Sequence, residues 1–340
     1  MPMDNPRSAT VRSTGPHRLH EVPSSALAVT ARPLHLHRRM SLEDAFRATV
    51  LECLAHVAAN ISPVVRSRDM EGLHQLRGGL RRLHVAFSAF GDEFRTPALM
   101  DLKARTKAFA DAVAPARDLD VFVEELLAPL AERLGHDESF KILRARAEEA
   151  RQNAWAEAVA HIASAEFAVF QDDAAAAAEA RSWLGGRDIA IDLKARLAVR
   201  APVKSAAARI MDEQLMRARK RGRRLKSLEQ REVHRSRIAL KRLRYAAEFY
   251  APLYKKKKVK RYLDRLKKFQ DLLGCINDVA QVRSVLARLV ADEATSAHIQ
   301  ADLCFTAGLI NGWHRARAEQ LIKKALRRWD KVKRQEPFWA

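Results

Sequence analysis

The chain has 340 residues, of which 48% are hydrophobic and only 6% aromatic, a composition that favours helices over strands and allows a sizeable core. The formal net charge of +21 is concentrated in the second half: residues 200–340 hold 36 Lys and Arg against 14 Asp and Glu, whereas residues 1–199 hold 26 against 27. Such a charge attracts polyanions. No apolar run approaches about 20 residues, so no membrane span is expected, and the N-terminus has no apolar h-region, so no secretory signal is expected.

The predicted elements are all helical and follow a tail. Residues 1–40 are rich in Pro, Ser, Arg and His without periodicity, which is typical of a disordered tail. Ser41 and Asp44 form a capping-box pattern that opens a helix to about residue 65. No run alternates with period two, so no sheet is expected. The further predicted helices cover approximately 69–90, 97–114, 118–135, one or two within 138–184, a weak 189–199, then 203–226, 229–254, 256–275, 278–292 and 294–333.

Residues 233–250, VHRSRIALKRLRYAAEFY, form the most informative of these helices. His234, Arg237, Lys241 and Arg244 recur at steps of three, four and three, so they share one face beside an apolar stripe. Like charges at this spacing repel one another, and the stripe contains no acidic residue. The pattern therefore predicts an anion-binding surface rather than a solvated face.

The same pattern occurs 160 positions earlier, in residues 73–90, LHQLRGGLRRLHVAFSAF. A repeat of this length predicts two copies of one helical unit, related by a pseudo-twofold axis and facing a basic central groove. The matched pairs are His74 with His234, Arg77 with Arg237, Arg81 with Lys241, Arg105 with Arg265, and Asp118 with Asp278.

Both copies contain HxxR followed by (R/K)RL, and about forty residues later RDLDV or NDVAQV. This combination resembles the CHAD family of conserved-histidine α-helical domains. The resemblance covers residues 41–334. It implies an all-α fold with repeats at 41–200 and 201–334, and a protein that binds inorganic polyphosphate. It also implies that His74 and His234 line the surface that holds the polyanion. The N-terminal copy departs from the pattern at Gly78 and Gly79, inside its helix, and at His84, which replaces the arginine of the second copy.

Arginine forks match phosphate oxygens, lysine supplies a compact charge, and histidine donates one or two hydrogen bonds. Arg105 and Arg265 also border the apolar stripes of their helices, whereas Lys107 and Lys267 point away and are expected to be solvated. The nine predicted polyphosphate-binding residues are His74, Arg77, Arg81, Arg105, His234, Arg237, Lys241, Arg244 and Arg265.

No catalytic residue, metal site or cofactor is predicted. Asp118 and Asp278 have no second acid at dyad spacing and are expected to cap helices. Cys53, Cys275 and Cys304 lack metal-ligand spacing and are expected to be buried free thiols in a reducing compartment.

Two other functions remain open. The positive charge would allow nucleic-acid binding, although no helix-turn-helix, zinc-finger or RNP motif is present. The segment His74-Gln-Leu-Arg-Gly-Gly is similar to the motif of histidine phosphotransfer bundles, but the second copy has Ile238 in place of the first glycine. The polyphosphate interpretation predicts a cytoplasmic protein at polyphosphate granules, with other granule proteins as possible partners.

Overall fold

The computed structural model describes residues 27–90, 94, 96–181, 189–227, 229–291 and 296–340. This part of the chain is helical, with a single isolated β-bridge between Ser41 and Pro202 and no strand, so the all-α prediction is confirmed. The helices are α1 Leu42–Ala59, α2 Ile61–Ser67, α3 Met70–Ala89, α4 Pro97–Ala112, α5 Ala114–Val121, α6 Ala131–Leu134, α7 Glu138–Ile162, α8 Ala165–Ala180, α9 Ile189–Arg200, α10 Val203–Gly222, α11 Gln230–Tyr250, α12 Lys256–Val290 and α13 Ala297–Lys333.

Side-chain caps fix where several helices begin. The Ser41 hydroxyl accepts from the Asp44 amide at 3.0 Å and donates to the Asp44 carboxylate at 2.7 Å, so the predicted start of α1 is confirmed. Asp69 accepts from two amides in the first turn of α3, and Asp137 does the same for α7. The first helix does not run on to residue 65, because α1 ends at Asn60 and α2 begins afresh.

Helix α12 is longer than predicted. It runs unbroken from Lys256 to Val290, across the predicted gap between residues 275 and 278. Asp278 has the residue type of a helix cap, which is why the sequence suggested a break. Packing overrides this preference, because Ile276 and the following apolar positions of the same face are buried.

Among the described residues, two hydrophobic cores hold the helices together, and each uses both halves of the chain. The larger one joins α1, α3, α4 and α8 to α10, α11, the first part of α12 and the end of α13. The smaller one joins residues 122–147 to residues 282–310. No core ends at residue 200, so the boundary between the two repeats, like their pseudo-twofold symmetry, stays a prediction from the sequence.

The close approach of α1 and α3 depends on one of the two glycines in α3. A Cβ added at Gly79 would lie 2.7 Å from Cγ2 of Val57, whereas one added at Gly78 would meet nothing within 4 Å. Gly79 is therefore required by packing between helices, and Gly78 is not.

The prediction of a disordered tail to residue 40 is wrong from residue 27 onwards. Leu34 and Leu36 are buried in the larger core. The Val29 amide donates to Asn60 Oδ1 at 2.9 Å, and Asn60 Nδ2 donates back to the Val29 carbonyl at 2.9 Å. A segment outside helices and strands that packs through two leucines has no periodicity, so no signal in the sequence marked it. Residues 1–26 lie outside the described residues.

One stretch, Leu42–Ser67, is long and apolar enough to cross a membrane by length and composition alone. It spans α1 and α2, and just over half of its most apolar 18-residue window is buried inside the described part of the fold, as expected of a core helix pair. The cysteine prediction holds for Cys53, which is buried, but is wrong for Cys275 and Cys304, which are exposed. Their helical faces are apolar in sequence but are not covered by a neighbour.

Candidate anion-binding site

Helices α3 and α11 carry the two predicted basic stripes, and they contact each other. Leu80 in α3 and Leu240 in α11 are fully buried, which fixes the rotation of each helix about its axis. The Tyr250 hydroxyl at the end of α11 donates to the Ala89 carbonyl at the end of α3, at 3.1 Å. This bond joins the C-terminal ends of the two helices and sets the basic stripes near one another.

Five cations from these helices form what we call the central basic cluster: Arg77, Arg81, Arg237, Lys241 and Arg244. Burial and the positive charges of the four arginines lower the pKa of Lys241 to about 6. Burial also lowers the pKa of Arg81, and Arg77, Arg237 and Arg244 act in the same direction. Like charges from both copies of the repeat are thus held within electrostatic range of one another. Five of the nine predicted residues come together in this way.

Two members of the cluster have carboxylate partners. Arg77 donates to Asp118 Oδ1 at 2.9 Å. Arg244 donates to Glu248 Oε1 at 2.8 Å, one turn further along α11. These pairs neutralise part of the charge and orient the two guanidinium groups.

The other three members lack a carboxylate in direct contact within the described residues, although the charges of Asp278 and Asp118 act on Arg237. Within the described residues, no carboxylate forms an ion pair with Arg81, Arg237 or Lys241. The Nε atoms of Arg81, Arg237 and Arg244 are buried and have no hydrogen-bond partner. A buried donor without a partner costs about 1–3 kcal/mol, and more when it is charged. Three such donors add to the free-energy cost of holding these cations together.

The prediction that Asp118 and Asp278 cap helices is wrong. Asp118 lies inside α5, which begins earlier with Pro115 in its first turn, and Asp278 lies inside the unbroken α12. Burial raises the pKa of Asp278, while the charge of Arg237 opposes this effect and the charge of Asp118 adds to it. Both carboxylates therefore lie at the edge of the central basic cluster, one from each copy.

The two predicted histidines differ in their surroundings. His74 is partly buried, and burial lowers its pKa, followed by the positive charge of Arg117, with Arg81 and Arg77 acting in the same direction. The side chain is therefore a neutral donor or acceptor near pH 7, within range of the cluster. His234 is exposed, one turn before Arg237 in α11. That the two histidines face each other across a groove stays a prediction.

Arg105 and Arg265 are not among the charges that act on the cluster. Arg105 donates to Asp173 on α8 at 2.6 Å, and its guanidinium lies 5.5 Å from the Phe170 ring centroid, so it joins α4 to α8. Arg265 is exposed and lines a separate groove. A helix has two shoulders beside its apolar stripe, and only the packing decides which of them faces the partner helix. Lys107, which pairs with Asp111, and Lys267 are both exposed, as predicted.

Sequence reasoning missed the role of several residues next to the cluster. Arg117 acts on His74, Asp118 binds Arg77, and Asp278 acts on Arg237. All three lie in the segments RDLDV and NDVAQV, so the repeated motif itself was the available signal. The Tyr245 ring lies 4.7 Å from the Arg244 guanidinium and had no such signal. Within the described residues, no group of three or more His, Cys, Asp or Glu could hold a metal ion.

Comparison with known proteins identifies the family and the fold of the chain. The model of the CHAD domain matches residues 48–287, which is well over half of the chain. The chain belongs to the CHAD family. The crystal structure of the CHAD domain from the plant Ricinus communis is similar, with a TM-score of 0.70 and 26% identity, over 88% of this chain and 96% of that one. PptA from Streptomyces chartreusis shares the fold, with a TM-score of 0.60 and 15% identity, over 86% of this chain and 99% of that one. No curated protein matches.

Proposed function

We propose that this CHAD protein binds inorganic polyphosphate at the central basic cluster and does not act as an enzyme. The observation that carries the proposal is the set of half-buried cations Arg81, Arg237 and Lys241, which lie within electrostatic range of one another and form no ion pair within the described residues. A chain of phosphates supplies many acceptor oxygens and several negative charges in a row. It would accept hydrogen bonds from the accessible atoms of these cations and reduce the repulsion between them.

The proposal favours polyphosphate over nucleic acid because the cluster offers little to a base. Proteins that hold single strands stack bases on exposed aromatic rings. The aromatic residues nearest the stripe, Tyr245 and Tyr250, are buried, and the Tyr245 ring is in contact with Arg244. A ligand with phosphates and no bases suits this surface better.

The proposal gives His74 a binding role rather than a phosphotransfer role. A phosphoryl acceptor must be reachable by its donor, and His74 is only partly exposed among cations that would hold phosphates in place. We expect the purified protein neither to hydrolyse polyphosphate nor to form phosphohistidine. Stable phosphohistidine formed from a plausible donor would contradict the binding-only role.

The deciding experiment is a competition assay with long-chain polyphosphate against duplex DNA and RNA at fixed salt, repeated over a salt series. Polyphosphate affinity should fall steeply with salt, because neutralised phosphates release counterions. Arg237→Ala should weaken binding by about 1.5–3 kcal/mol, the usual range for a charge-assisted contact, and should flatten the salt dependence.

Lys267→Ala is the matched control. Lys267 is exposed on a neighbouring helix, and its substitution removes one positive charge, as Arg237→Ala does. It should change the affinity little. If Lys267→Ala weakens binding as much as Arg237→Ala, binding is diffuse over the basic half of the chain and the proposed site is wrong. If nucleic acid competes at equal phosphate concentration, the ligand class is wrong.

We further propose that the protein works in the cytoplasm at polyphosphate granules, together with other granule proteins. Support for this comes from the family and from the proposed ligand. Imaging of a fluorescent fusion tests it, because the fusion should colocalise with granules and the Arg237→Ala variant should do so less.

A further inference from the structure

A second basic surface lies between α12 and the C-terminal end of α13, and we call it the outer basic groove. It encloses a volume of about 640 Å³. One wall carries Arg261, Arg265 and Lys268 of α12 at steps of four and three, and the other carries Arg328, Lys331 and Arg334 at steps of three. Two ridges of three cations therefore face each other.

The cations of the groove lack direct carboxylate partners within the described residues, although the charge of Lys268 acts on the Asp264 carboxyl of the same helix. Within the described residues, none of the six forms an ion pair, and the only acidic residue in the lining is Glu336. Asp264, on the same helix, pairs with Lys260 outside the groove at 2.7 Å. Lys331 and Arg334 lie at the end of α13, where the helix dipole favours cations, but this does not explain the three cations inside α12.

The two walls are fixed to each other. Arg328 Nη1 donates to the Lys268 carbonyl at 3.3 Å, and Gln335 Nε2 donates to the Arg261 carbonyl at 3.5 Å. The Phe269 and Trp329 rings stack below the groove with their centroids 5.7 Å apart. These contacts thus hold the two ridges of cations in a defined geometry despite their mutual repulsion, as in the central basic cluster.

The outer basic groove is separate from the central basic cluster but lies on a shared helix. Arg265 and Asp278 are thirteen positions apart, which is about 20 Å along the axis of α12 at 1.5 Å per residue. The residue Arg265, predicted from the sequence to extend the central surface, belongs to the groove instead.

We propose that the outer basic groove is a second polyphosphate-binding site, which a long chain occupies together with the central basic cluster. The identity of the ligand rests on the function proposed above, whereas the two ridges of cations by themselves require only a phosphate-bearing polyanion. The groove lining contains no aromatic side chain on which a base could stack. Two linked sites raise the affinity for a ligand that reaches both, so the second site selects long chains.

The experiment compares a short and a long ligand, tripolyphosphate and long-chain polyphosphate, by titration calorimetry on the full chain. The groove variant is Arg265→Glu with Lys268→Glu. Its control is Lys257→Glu with Lys267→Glu, which makes the same change of charge at exposed positions of the same helix outside the groove. Circular dichroism checks that all variants keep their helix content, and the Gln pair at 265 and 268 replaces the Glu pair if the latter does not fold.

The wild type and the control should bind tripolyphosphate at two sites, and the groove variant at one. For long chains, the groove variant should lose about a hundredfold in affinity through lost avidity, and the control at most a few-fold. If the groove variant behaves like the control with both ligands, the proposal is overturned. If the groove variant loses binding to single-stranded RNA but not to polyphosphate, it is overturned as well.

A central variant, Arg237→Ala with Lys241→Met, separates this result from the proposed function. If it keeps wild-type binding while the groove variant loses one site, the central site is wrong and the groove proposal stands. If only the central variant loses a site, the groove proposal is wrong and the function proposed above stands.

Discussion

Polyphosphate binding should be coupled to protonation of Lys241. Burial and four neighbouring arginines lower the pKa of Lys241 to about 6 in the free protein. At pH 7.5 only about 3% of the molecules then carry this proton. A polyanion placed beside the amine removes the repulsion and raises its pKa again, so binding should take up close to one proton per protein.

The same coupling sets the pH dependence of the affinity. If the pKa of Lys241 in the complex lies above about 9, affinity should be about fifteenfold weaker at pH 7.5 than at pH 6. The ligand's terminal phosphates also titrate in this range, and they are the same for every variant. The Lys241→Arg variant keeps the positive charge but cannot lose its proton, so the difference between the two proteins isolates Lys241.

The assay is calorimetry at pH 7.5 in buffers with different enthalpies of ionisation, which gives the number of protons taken up on binding. Phosphate buffer is avoided, because it would compete for the site. The wild type should take up nearly one proton more than Lys241→Arg. Equal proton uptake by the two proteins would show that Lys241 is already charged in the free protein, and the reasoning from its buried, unpaired position would be refuted.

Three further predictions concern stability. Lys241→Met should stabilise the free protein. The pKa of Lys241 is lower in the folded protein than in the unfolded protein, so between pH 6 and 10 the unfolded protein binds one proton more. The free energy of unfolding of the wild type, relative to the variant, should therefore rise by about 1.4 kcal/mol per pH unit from pH 7 to 8. Denaturant titrations measure this difference. Gly79→Ala should destabilise by about 1–3 kcal/mol through its contact with Val57, whereas Gly78→Ala should stabilise by about 0.5–1 kcal/mol; a loss at both positions would contradict the role assigned to Gly79. Leu36→Ala should cost about 2 kcal/mol or more, and an unchanged melting temperature would show that this segment does not pack.

Much of the fold could be predicted because its signals are local. Helical periodicity and capping residues such as Ser41 give the class and several helix starts. The errors arose where tertiary packing overrides local preference. Asp278 looked like a helix cap, but α12 continues through it because its apolar face is buried on both sides of that position. Leu34 and Leu36 pack in a segment outside helices and strands, for which a sequence has no periodic signal.

The candidate site could be predicted only in part, for a geometrical reason. The matched spacing of Arg77 and Arg237 identified the two basic stripes in the sequence. The packing of α3 on α11 places the two stripes together. Arg105 and Arg265 border the apolar stripes of their own helices, so the sequence favoured them equally as binding residues. Whether such a residue faces the central cluster depends on which neighbouring helix covers that shoulder, and Arg105 is covered by α8. A repeat in the sequence shows which residues correspond, but it does not show which of them meet.

The two stripes differ at their central position, which is Arg81 in one copy and Lys241 in the other. This difference has a physical consequence. Both side chains are surrounded by the same cations, and burial works against the charge of each. An arginine stays protonated under these conditions, whereas a lysine can release its proton. With an arginine at both positions, the free cluster would hold five permanent positive charges and no means of relieving their repulsion. With Lys241 neutral, the free protein holds four, and the fifth charge forms when a polyanion is present to compensate it. Under the proposed function, the lysine lowers the cost of maintaining an empty site and makes the full positive charge conditional on the ligand.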